Sequence, residues 1–178
     1  MPITLSDLQI EEADYQKHNI AAFDCTDPDL NEFLKIDCRV YKDQRLSHTK
    51  IAIYTGHVVG FIALLADSIS LIDEERKWLI LKDITVQQVP ALKVGRLGVH
   101  KDFHGQGIGR ALMQYSVAVA FRMNSELSVG CRFITVDAYT NSISFYERLG
   151  FIRSQHKVYK KRKYPNMYYD IVSGPPIG

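Results

Sequence analysis

The stretch GRLGVHKDFHGQGIGRAL, Gly95 to Leu112, constrains this chain more than any other, because an alternating apolar run gives way to three glycines and then to a helical pattern. Ile108, Ala111, Leu112, Tyr115 and Val119 follow the i, i+3, i+4, i+7, i+11 spacing of an amphipathic helix that begins near Gly107. Glycine gives up more backbone entropy on ordering than any other residue, so Gly105, Gly107 and Gly109 mark a place where bare backbone is required. A glycine-rich turn opening a helix presents several N–H groups together with the positive end of the helix dipole. Such a turn is an anion site, and phosphate is its usual guest.

Three kinds of cofactor use such a turn. A P-loop needs Lys and then Ser or Thr after its last glycine, whereas Gly109 is followed by Arg110 and Ala111. A dinucleotide fingerprint needs GxGxxG directly after a strand. Here GQGIGR places Arg110 where the third glycine belongs, and HKDFH intervenes. The third candidate is the pyrophosphate of coenzyme A.

The surroundings are those of a folded globular domain. A chain of 178 residues, 46% apolar and 24% charged, is expected to form one domain, residues 1–178, with no linker or repeat dividing it. The longest apolar run, Val58 to Ala66, falls far short of the roughly 20 residues of a membrane span. The N-terminus turns acidic within ten residues, unlike a secretory signal, so a cytoplasmic location without membrane contact is expected. Cys25, Cys38 and Cys131 lie far apart with no CxxC pair, and no His, Cys or carboxylate partners stand at metal spacing near His57 or His104. Reduced thiols and no metal are expected. The net charge of +2 points to no particular partner, but Arg153 to Lys163 holds six basic residues and no acidic one.

ITLSDLQI reads as a first strand. DCTDPDLNEFLKIDCRVYKDQ reads as a helix started by Asp27 and Pro28, with Leu30, Phe33, Leu34, Val40 and Tyr41 mostly on one face. The runs around Gly56 and His57 read as a hairpin, EERKWLI as a short helix, and VPALKVGRLGVH and CRFITVDAY as strands. NSISFYERLGF is a short helix with Asn141 as a plausible cap and Gly150 at its end. NMYYDIV is a last strand that closes the sheet.

LGVHKDFHGQGIGRALM resembles the acetyl-CoA motif of the GNAT superfamily of N-acetyltransferases, with His104 where Gln or Arg is usual. FYERLGF, Phe145 to Phe151, resembles the GNAT helix that carries a tyrosine before a closing strand. The asparagine often found seven residues earlier is replaced here by Tyr139, with Asn141 nearby. The resemblance implies an α/β (α+β) GNAT fold, a mixed, mostly antiparallel sheet of six to seven strands flanked by about four helices. It implies acetyl-CoA as cofactor, bound by Leu97, Gly98, Val99, His104, Gly105, Gln106, Gly107, Ile108, Gly109, Arg110 and Asn141. It also implies that the strand Leu97 to Val99 splays from its neighbour and offers the Val99 N–H to the thioester oxygen, with Gly98 easing a close approach. Tyr146 is then the general acid for the leaving thiolate.

Glu75, Asp83, His100 and Asp137 are candidate bases, alongside proton loss through water. Trp78 reads as packing, or else as a lid of the acceptor pocket, and by family analogy Lys82 to Pro90 shapes that pocket. The expected acceptor is a primary amine on a small molecule, peptide or protein. FDCTDPDLNEFLK resembles the first-helix region of GNAT toxins that acetylate aminoacyl-tRNA, although Thr26 replaces a usual glycine, and the basic run suits a phosphate backbone. A non-catalytic acetyl-CoA sensor is a third reading. GNAT domains often pair through sheet edges, which makes a homodimer plausible.

Overall fold

The computed structural model describes residues 2–81 and 83–177. Seven strands form one sheet in the order β1-β2-β3-β4-β5-β7-β6, where β1 is Gln9–Glu12, β2 His48–Tyr54, β3 His57–Ser70, β4 Gln88–Val99, β5 Phe133–Asp137, β6 Ile152–Arg153 and β7 Asn166–Asp170. The pairs β1/β2, β2/β3, β5/β7 and β6/β7 are antiparallel. With the helices below, this is the mixed architecture expected of a GNAT fold. The last strand does not close the sheet as an edge, because β7 lies between β5 and β6. The chain divides into two compact units, Met1–Leu65 with Val94–Ser116, and Ala66–Lys93 with Val117–Gly178.

In the first unit, α1 (Pro28–Glu32) starts as expected, with the Asp27 carboxylate accepting from the Leu30 N–H at 3.1 Å. A π turn, Phe33–Asp37, then leads into α2 (Cys38–Asp43). The wider turn adds a residue and rotates everything after it by about 100°. Phe33, Leu34 and Cys38 are therefore buried, while Val40 is 58% exposed and Tyr41 lies at the surface, which corrects the single apolar stripe read from the sequence. The Tyr15 hydroxyl stabilises the wider turn by donating to the Leu34 carbonyl at 2.7 Å. The β2/β3 hairpin turns through Thr55 and Gly56, both at positive φ, the geometry that matches the twist of its strands.

The opening segment differs from the strand expected over Ile3 to Ile10. Leu5–Asp7 forms a 3-10 turn in which Asp7 accepts from the Thr4 N–H at 2.8 Å and from the Thr4 hydroxyl at 2.7 Å, and only Gln9–Glu12 is strand. The Thr4-x-x-Asp7 spacing is the signal that carried this turn.

In the second unit, Phe133 and Tyr168 pack edge to face at 5.4 Å within a core that includes Ile69, Leu79 and Val89. Arg132 grips the buried carboxylate of Asp170 with two bonds, Nε to Oδ1 at 2.7 Å and a terminal nitrogen to Oδ2 at 2.8 Å. Burial alone would raise the Asp170 carboxyl, but Arg132 and Ser173 outweigh it and hold the group below the usual carboxylate range. A lowered native value adds stability above the ordinary carboxylate pKa of about 4, and that stability is lost as pH falls through the native value. Asp170→Asn is expected to cost about 2–3 kcal/mol at pH 7, read from the urea midpoint. The deficit should shrink as wild type and variant are compared at pH 3 and below. An equal midpoint at pH 7 would show that the pair is idle.

Candidate active site

The glycine-rich turn joins β4 to α4 (Ile108–Ser125), the 18-residue helix expected from the apolar spacing. The first bond of the helical ladder is the Ala111 N–H to the Gly107 carbonyl at 3.0 Å. The N–H groups of Ile108, Gly109 and Arg110 come before that ladder and point out of the helix end. Gly105 and Gly107 stand at φ +76° and +96°. A Cβ at Gly105 would meet nothing within 4 Å, so the backbone there faces open space. The turn is exposed at Gly105, Gln106 and Arg110. Open backbone, N–H groups that lie outside the helical ladder and the positive end of a long helix fit a diphosphate.

Gly107 has a second reason to be glycine. A Cβ there would come within 2.5 Å of the Ile3 carbonyl oxygen, and the Ile3 N–H donates to the Gln106 carbonyl at 2.6 Å. Gly98, expected to ease the approach of a ligand, also makes room for Phe61, whose Cε1 would lie 2.4 Å from an added Cβ.

The His100 N–H donates to the Val59 carbonyl of β3 at 2.9 Å. The backbone N–H and C=O groups of successive residues in an extended strand point to opposite edges, so those of Val99 are turned away from β3. The His104 ring returns to that outer edge, with Nε2 2.8 Å from the Val99 carbonyl. A carbonyl only accepts, so Nε2 carries the proton. Leu97, Val99, His104 and the turn through Arg110 are thus brought together within one unit.

Tyr146 and Asn141 belong to the other unit. Tyr146 is buried on α5 (Ile143–Arg148), its ring 5.0 Å from Phe145 and 5.5 Å from Phe151. Burial pushes its hydroxyl well above the ordinary tyrosine value, with Tyr139 adding to the rise. Among the described residues, nothing takes that hydroxyl as a hydrogen-bond partner. Gly150 ends the helix at φ +85°, as expected. Asn141 does not cap it. It is exposed in a 3-10 turn, Thr140–Ser142, that runs directly into α5, and its Oδ1 accepts from the Ser142 hydroxyl at 3.3 Å.

The candidate bases separate on their contacts. Glu75 is a buried tether, accepting from the Ile72 N–H at 2.9 Å, the Gln155 N–H at 3.1 Å and the Tyr168 hydroxyl at 3.2 Å. For Asp137, burial works to raise the carboxyl, yet Lys93, Asn166 and Arg162 outweigh it and keep it low. A carboxylate held by three donors is a poor proton acceptor near neutral pH. His100 packs edge to face against Phe23 and Phe103. Asp83 is exposed.

Trp78 ends α3 (Asp73–Trp78) and is 67% exposed, which overturns the packing role expected for it. Leu79 and Leu81 fill the core beside it instead. Lys82 lies outside the described residues. Sequence reasoning missed Arg76, whose guanidinium donates to the carbonyls of Ile84 at 3.1 Å, Gln87 at 3.0 Å and Val86, and so holds the stretch leading into β4. No signal in EERKW marks that role. Among the described residues, no group of three or more potential ligands could hold a metal, and no helix is long and apolar enough to cross a membrane.

Comparison with solved structures finds a tyrosine-to-phenylalanine mutant of KacT at 25% identity, covering 93% of this chain and 95% of that one, with a TM-score of 0.77. AtaT complexed with acetyl-methionyl-tRNA matches at 22% identity over 92% and 95%, with a TM-score of 0.75. AtaTR bound with acetyl-CoA matches at 23% over 93% and 94%, with a TM-score of 0.70. The model of the acetyltransferase (GNAT) family matches residues 10–151, and this chain therefore belongs to the GNAT acetyltransferases, a family whose cofactor is acetyl-CoA.

Proposed function

We propose that the chain works as a single acetyltransferase domain that moves an acetyl group from acetyl-CoA to a primary amine. The observation that carries the reading is the bare turn from Gly105 to Arg110 opening onto α4, in a chain of this family. The N–H groups of Ile108, Gly109 and Arg110 would hold the diphosphate, and the outward edge of Leu97 to Val99 would hold the pantetheine arm. Bound acetyl-CoA supplies a thioester carbonyl open to attack by an amine. The Val99 N–H stands as the donor for the oxygen on which charge develops. Tyr146 keeps its proton because burial raises its hydroxyl, and so serves as the acid for the departing thiolate. No carboxylate is assigned as base. An α-amine, with a pKa near 8, is partly neutral near pH 7 and loses its proton to water with little help.

An aminoacyl-tRNA is the acceptor favoured by a second set of observations. AtaT, alike in fold, is seen with acetyl-methionyl-tRNA, and Arg153 to Lys163 carries an excess of positive charge. The α-amine of a charged tRNA also meets the requirement for a weakly basic nucleophile. Thiol release from acetyl-CoA, measured over polyamines, amino acids, peptides and charged tRNA, tests both statements. Release with charged tRNA alone supports the tRNA reading, release with a free amine replaces it, and tight acetyl-CoA binding without release on any acceptor points to a sensor.

A further inference from the structure

The basic run Arg153 to Lys163 is not a loose solvated loop, because it is fastened at three points within its own unit. The Gln155 N–H donates to the buried Glu75 carboxylate at 3.1 Å. Tyr159 is buried and its hydroxyl accepts from the Ser70 N–H at 3.0 Å. The Arg162 guanidinium lies 4.8 Å above the Tyr159 ring and bonds to Asp137 Oδ1 at 3.2 Å. Between these anchors the backbone folds into successive turns, with Tyr159 N–H to the His156 carbonyl at 3.0 Å and Arg162 N–H to the Tyr159 carbonyl at 3.1 Å.

The same contacts divide the six cations into two sets. Arg153 pairs with Glu147 at 3.1 Å, Arg162 with Asp137, and Lys163 sits 5.0 Å from the Tyr164 ring. Lys157, Lys160 and Lys161 are all exposed, and among the described residues none has a carboxylate partner. Lys157 and Lys160 line a groove of about 540 Å³ that Asp73 and Glu74 also line. Those two carboxylates repel a polyanion, so the lysines are left as its points of attraction.

We propose that Lys157, Lys160 and Lys161 form a preorganised docking surface for the phosphodiester backbone of an RNA acceptor. The proposal rests on the tRNA reading above and adds which cations make the contact and which only hold the segment in place. Three ammonium groups with no carboxylate partner among the described residues, carried on an anchored turn, lose little backbone freedom on binding, and they read phosphate without reading sequence.

The test is fluorescence anisotropy with a labelled 12-base-pair RNA hairpin between 50 and 200 mM salt. It compares the intact protein, the triple variant K157Q/K160Q/K161Q and a charge-matched control, K17Q/K42Q/R122Q. Each phosphate contact contributes about 0.7–0.9 to the slope of log affinity against log salt. The first triple variant is expected to flatten the slope by about 2–3, and the control to leave it unchanged. Equal slopes in the two triple variants would overturn the proposal. So would polyglutamate competing as well as unlabelled hairpin, which would assign the surface to an acidic protein segment. Thiol release from acetyl-CoA is followed in parallel over small amines, peptides and charged tRNA. Silence across that whole panel in the intact protein counts against acetyl transfer while leaving the slope comparison to decide the RNA surface.

Discussion

Tyr146→Phe is expected to lower kcat by roughly 100- to 10,000-fold, the range for loss of a positioned general acid, with acetyl-CoA affinity within about twofold of wild type. The substitution removes one oxygen and leaves the ring between Phe145 and Phe151. Because nothing among the described residues bonds that hydroxyl, no buried partner is orphaned, and the urea midpoint should barely move. Burial raises the hydroxyl pKa, so the protonated form persists to higher pH than for an exposed tyrosine. The rate of the intact enzyme should therefore climb as the acceptor amine deprotonates and show no fall from loss of the acid up to about pH 10. A Phe variant with an unchanged kcat, or a wild-type rate falling above pH 8 with a stable amine acceptor, would remove Tyr146 from the mechanism.

The sequence carried some parts of this molecule and concealed others for identifiable reasons. The β2/β3 hairpin, the start of α1 at Asp27 and Pro28 and the long helix after Gly107 were legible because their signals are local: turn chemistry, a cap and a sustained helical period. The burial of Cys38 in place of Val40 was not legible. It follows from a π turn held by Tyr15, a residue 19 positions before the Leu34 carbonyl it bonds. The position of β7 between β5 and β6 depends on pairing across the chain, which no local pattern records. For the candidate site, the glycine turn and the tyrosine helix could be read from motif and spacing. The binding of Asp137 by Lys93, Asn166 and Arg162, which takes it out of contention as a base, could not be read, since those partners come from β4, β7 and the basic segment. The basic run shows the same limit. Its charge is plain in the sequence, but the division into anchoring and free cations exists only once Tyr159 and Arg162 are placed.

The two turn glycines should answer differently to the same added methyl group, and the difference separates what the fold requires from what the ligand requires. Gly107→Ala meets two penalties, a backbone at φ +96° that L-residues avoid and a methyl forced to within 2.5 Å of the Ile3 carbonyl. Together they should cost about 2–4 kcal/mol in the urea midpoint. Relief requires Pro2 and Ile3 to move, which breaks the bond from the Ile3 N–H to Gln106. Gly105→Ala carries only the backbone penalty, about 1–2 kcal/mol, because its methyl points into open space. That open space is where the diphosphate is proposed to lie. The Gly105 variant should therefore lose acetyl-CoA affinity by tenfold or more, measured by calorimetry at a temperature where both variants are folded. If Gly105→Ala binds acetyl-CoA as wild type does, the diphosphate lies elsewhere. If the two variants lose stability equally, the contact with Ile3 is not what holds Gly107 in the sequence.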